Sequence, residues 1–154
     1  MDGMLTIASN VILRGRWSLI GPDRPADGTI LMIHNREHEQ SVLLTGSGCG
    51  VRDLTFWHPE QQVTESVESA SKSPLVIRGQ AGVVTIENIT LINPYRGIDL
   101  SQASTCCLRG IYGSPLHCGL SADRSFAVSR YDSCLLYTSP SPRDQRGSRM
   151  PSSA

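Results

Sequence analysis

Asp99 and Asp123, with Arg78, Arg96 and Arg124 close to them, are the residues of this chain best suited to chemistry. A carboxylate can remove or deliver a proton, and an arginine can neutralise an acid on the substrate while that proton moves. Two carboxylates facing one another across a glycosidic bond would serve hydrolysis instead. Trp57, His58, Tyr95, Tyr112 and His117 add flat faces of the kind that stack on the C–H surfaces of sugar rings. Asp99, Asp123 and Arg78 are therefore the catalytic candidates, and Trp57, His58, Tyr95, Arg96, Tyr112, His117 and Arg124 the substrate-binding ones. Each has a plainer reading. Outward charges also serve as a solvated face, and aromatic rings also pack inserted loops onto a scaffold. No adjacent Asp-Asp, Gly-His-Gly or Arg-Ile-Lys run occurs in the chain. No Cys-x-x-Cys or Cys/His spacing suggests zinc, so no metal site and no cofactor are expected. Calcium would enter only if the chemistry were elimination from a uronate.

The elements that must position these residues are legible as a repeated phrase. Its clearest copy is Val84-Thr85-Ile86-Glu87-Asn88-Ile89-Thr90-Leu91: strand alternation, a corner residue, then strand alternation again. Gly50–Phe56 and Cys107–Gly113 repeat it, and Val11–Gly15 and Ala127–Ser133 are weaker copies. The corner falls at Gly15, Asp53, Asn88, Gly110 and Arg130, four of which tolerate a left-handed backbone. Asn88 also opens a glycosylation sequon, but a corner residue whose amide bonds its neighbours explains it better. A further short strand precedes each phrase, around Val42, Val76, Ile98 and Leu120. Its outward residues are Leu43, Thr45, Val76, Arg78, Asp99, Ser121 and Asp123.

Ile86 to Leu108 and Leu108 to Val128 are about 20–22 residues apart, a solenoid period. The long insertions Gly21–Gln40 and Trp57–Ser73 are expected where the third strand of one coil hands over to the next. Helical periodicity is poor, and the Leu-x-x-Leu-x-Leu spacing of a leucine-rich repeat is absent. The fold class expected is all-β: a right-handed, single-stranded parallel β-helix of about five coils, truncated at the end.

Met4–Gly15, Gly28–Met32, Gly48–Gln61 and Ile86–Leu100 resemble successive parts of pectate-lyase-superfamily domains of the rhamnogalacturonase/epimerase-like type. The resemblance covers essentially all of Met4–Ser133. It implies a secreted, extracellular protein that binds or cleaves an acidic polysaccharide, as lyase or hydrolase. It equally admits a non-catalytic β-helix, such as a phage tail spike or a glycan-binding surface protein. Outward apolar Leu43 and Val76 suit that second reading and a homo-oligomer contact.

The stretch 134–154 resembles a translated sequencing adapter: Cys134–Asp144 matches one frame of it and Ser148–Ala154 the primer that follows. The rival is a natural Pro/Ser-rich tail. Residues 1–133 are read as a partial β-helix domain and 134–154 as artefactual or disordered. The tail carries three arginines against one aspartate, so the remainder holds eleven bases and thirteen acids. No basic stripe invites nucleic acid and no apolar run is long enough to span a membrane. Of the five cysteines, Cys49 and Cys106 share a column with Val84 between them, about 9–10 Å apart and beyond disulfide reach. Buried thiols are expected instead.

Overall fold

The computed structural model describes residues 1–18, 28–34, 37–61, 74–80, 82–122 and 127–132, the last as backbone. Among them are eleven strands and no helix. The strands are β1 (Leu5–Ile7), β2 (Ile12–Arg14), β3 (Ile30–Met32), β4 (Gln40–Leu44), β5 (Cys49–Trp57) and β6 (Leu75–Gln80). β7 (Val83–Ile92), β8 (Arg96–Gln102), β9 (Thr105–Gly113), β10 (Cys118–Ser121) and β11 (Ala127–Asp132) follow. Every strand pairing is parallel. The first sheet has the order β1-β4-β6-β8-β10 and the second β11-β9-β7-β5-β2, with β3 against the far half of β5. The chain thus passes from one sheet to the other and back, and each strand pairs with its counterpart one round away. Parallel neighbours need a long crossover, and here the strand of the other sheet supplies it.

β5, β7 and β9 run through a bend where Asp53 (φ 58°), Asn88 (φ 51°) and Gly110 (φ 60°) adopt the left-handed conformation expected of them. The alternation on either side of the bend aims one set of residues inward. Val51–Ile86–Leu108 and Leu54–Ile89–Ile111 are in register, and all six are almost fully buried. Val42, Ile77 and Ile98 supply the facing side from the first sheet. Burying each such aliphatic side chain contributes roughly 1.5–3 kcal/mol. Cys49, Val84 and Cys106 form one inward column, and the four described cysteines are free thiols. Burial pushes the Cys106 thiol up to about 11, with Cys107 adding to the effect.

Four expectations need correction. Gly15 sits beside Asp53 but is not left-handed; it is there because a Cβ would come within 2.7 Å of the Asp53 carbonyl oxygen. Arg130 is not a corner: the register shifts between Val128 and Arg130, so Arg130 faces Cys107 and Tyr131 faces Leu108. The first insertion opens at the bend, between β2 and β3, and only residues 33–39 hand over to β4. Val76 is not an exposed outward residue, because Leu75, Val76 and Ile77 are all buried at the start of β6. The expectations for 134–154, Asp123 and Arg124 lie outside the described residues.

Candidate functional site

On the outer face of the first sheet, Leu43, Arg78, Asp99 and Ser121 form one column across β4, β6, β8 and β10. They point out because Ile77 and Ile98 beside them point in. Arg78 Nη1 donates to Glu39 Oε2 at 3.2 Å, and its Nε stands 4.0 Å from Asp99 Oδ2. That Nε is buried and finds no hydrogen-bond acceptor. Arg96 Nη2 approaches the same Asp99 oxygen to 3.7 Å. Asp99 Oδ1 accepts two bonds from Ser101, from the backbone N–H at 3.0 Å and the hydroxyl at 2.7 Å.

Burial alone would raise the Asp99 pKa. The Ser101 bonds, then Arg78 and Arg96, outweigh it and hold the carboxyl below its ordinary value. Asp99 is therefore an ionised, occupied carboxylate near neutral pH. It is a weak base, and a strong electrostatic partner for the two arginines. Arg96 is the more open of the pair, with its side chain 44% exposed against 22% for Arg78.

An aromatic pair lies at the turn that precedes these strands. Tyr95 stacks on His117 in the next round, with ring centroids 5.0 Å apart and planes 14° from parallel. The stack is built by the turn that leads from the second sheet back to the first. Asn93 is left-handed there (φ 52°), and its Oδ1 accepts the Ser114 hydroxyl at 3.1 Å. The His117 N–H bonds the Tyr95 carbonyl at 3.0 Å, which fixes the two rings at the same height on successive rounds. Tyr95 directly precedes Arg96 in the chain, and His117 directly precedes Cys118, the register partner of Arg96.

The remaining candidates lie elsewhere. Trp57 is on the second sheet, in register with Met32 and Ile92. Tyr112 is taken up in packing: Trp17 stacks on it at 5.3 Å and donates from Nε1 to Thr90 Oγ1 at 2.8 Å. Thr55, Thr90 and Tyr112 share one column, and Trp17 packs onto it. His58 is 4% exposed, and neither ring nitrogen has a hydrogen-bond partner. Desolvation, with the His34 charge as a lesser cause, pushes its pKa down to about 4, so the ring is neutral. His34 pairs instead with Glu60, Nδ1 to Oε1 at 3.1 Å.

The site thus gathers Arg78, Arg96, Asp99, Tyr95 and His117, and leaves Trp57, His58 and Tyr112 outside. Sequence reasoning missed Glu39, Ser101 and Trp17. Ser101 carried a signal, because a serine two residues after an aspartate is a common turn pairing. Glu39 and Trp17 carried none. Among the described residues, no three His, Cys, Asp or Glu side chains gather so as to hold a metal ion. Compared with family models, curated proteins and solved structures, the chain matches none.

Proposed function

We propose that the chain builds a right-handed, single-stranded parallel β-helix of the pectate-lyase type and binds an acidic polysaccharide on its first-sheet face. Parallel strands that alternate between two sheets, and left-handed residues in register at one bend, support the β-helix. The right hand follows from the general handedness of parallel crossovers. The Tyr95–His117 stack, next in the chain to the Arg96–Asp99 pair, carries the functional reading. An aromatic face meets the apolar side of a sugar ring, while a half-exposed guanidinium takes a carboxylate with two parallel bonds. Secretion belongs to the same reading, since it rests on the resemblance alone.

Binding is favoured over cleavage. Asp99 is ionised and occupied, and Leu43, Arg78 and Ser121 bring no second carboxylate to its column. Titrating the full chain with oligogalacturonate and with a neutral glucan in a calorimeter tests this. The acidic ligand should bind and Arg96→Gln should weaken it about tenfold, the worth of one charge-assisted contact. Equal heats from both glycans would overturn the reading. Release of unsaturated uronate, lost in Asp99→Asn, would replace binding by elimination.

A further inference from the structure

We infer that the second sheet carries a separate site for one tetrahedral oxyanion, a sulfate or phosphate ester group, held between Arg14 and Arg52. The two arginines are register partners on β2 and β5, one strand spacing apart, about 4.8 Å. Each meets a carboxylate through Nε: Arg14 donates to Asp53 Oδ2 at 2.8 Å, and Arg52 lies 3.2 Å from Glu87 Oε2, out of line for a hydrogen bond. Asp53 cannot turn further toward the arginines. Asp53 spends its other oxygen on the Asn88 amide at 2.8 Å, and Glu87 Oε1 is 4.0 Å from Cys107 Sγ. Among the described residues, no further hydrogen bond reaches the terminal amino groups of Arg14 or Arg52. Arg14 is 73% exposed along its side chain and Arg52 37%.

Two side-anchored guanidinium groups, with unfilled ends on neighbouring strands, call for an acceptor that reaches both. A carboxylate has two oxygens and fills one fork, whereas a sulfate or phosphate monoester has three free oxygens and can bridge two.

The test is side-chain NMR of the full chain, following the arginine Nε–H signals during titration with inorganic sulfate at constant ionic strength. Saturable shifts at Arg14 and Arg52 are expected. Arg14→Gln and Arg52→Gln should each weaken binding about tenfold, and acetate should bind several-fold less tightly than sulfate. Arg14→Lys keeps the charge beside Asp53, and so the fold, but removes the fork; it should lose affinity to a similar degree. Arg96→Gln should leave sulfate binding unchanged, which separates this site from the first-sheet face. Glucose sulfate and glucose phosphate then tell which ester is preferred. Shifts that never saturate, acetate equal to sulfate, or wild-type affinity in Arg14→Lys would each overturn the site.

Discussion

Asp53 and Asp99 are both aspartates held below their ordinary pKa, yet they are built into the molecule in opposite ways. Asp53 lies at the bend of the second sheet. The Asn88 amide is the largest cause of its lowered pKa; burial opposes it, and Arg14 and Arg52 assist. Its two oxygens go to two neighbouring rounds, so its negative charge is consumed in joining them. Asp99 lies on the open face of a strand. One oxygen turns back to Ser101 two residues along, and the other faces two arginines at 3.7 and 4.0 Å, longer than a hydrogen bond. The first arrangement is closed and the second is slack. A carboxylate that ties rounds together needs short contacts above and below; one that shares its arginines with a ligand needs loose ones.

The largest effect should come from breaking the closed arrangement. Asn88→Val removes the bond to Asp53 and places a β-branched residue at φ 51°. Backbone strain and the lost hydrogen bond together should destabilise by about 3 kcal/mol. Asn88→Gly keeps the conformation and loses only the amide, so it should cost about 1 kcal/mol. Urea unfolding of the two variants measures the difference. Equal losses would mean that the bend itself stores nothing.

Acid should find the next weakest point, and it lies in neither aspartate. His58 is neutral in the folded chain with a pKa near 4, against an ordinary 6.5. The unfolded chain therefore binds a proton more readily, so stability is complete above about pH 6.5 and falls as pH drops toward 4. The loss over that window should approach about 3 kcal/mol. The aspartates act only later, because depressed carboxyl pKa values cost stability as pH falls below their ordinary 3.8. A urea midpoint measured across this range should decline in two steps, and His58→Phe should remove the upper one. A single decline below pH 4 would mean that His58 is solvated after all.

The bend was readable because residue type reports backbone strain directly: Asp53, Asn88 and Gly110 stand where few other residues are tolerated. Strand alternation made the inward columns readable for the same local reason. The errors arose where a neighbouring round decides. Val76 is buried within a run of three, Leu75, Val76 and Ile77, which a period of two cannot express. Arg130 moved because of a register shift that only pairing with β9 defines. The site divides likewise. Arg78, Arg96 and Asp99 could be placed by counting, whereas the Tyr95–His117 and Trp17–Tyr112 stacks join residues 22 and 95 positions apart. Only the stacking of rounds chooses those partners.

The smallest effect on stability should be the most informative about the open face. Asp99→Asn keeps a side chain that can still accept from Ser101 and removes one charge from a half-buried group. Partly exposed pairs at these distances contribute little, so stability should change by less than about 1 kcal/mol. Ligand affinity should move the other way. With Asp99 neutral, Arg78 and Arg96 lose a competing anion, and oligogalacturonate binding should tighten several-fold as like-charge repulsion is relieved. Arg96→Gln should weaken it, and the double variant should sit near the single Arg96→Gln, because the carboxylate acts through the arginine. Weaker binding in Asp99→Asn would show that Asp99 itself meets the sugar, by accepting its hydroxyls, and would make the two aspartates alike in being fully committed.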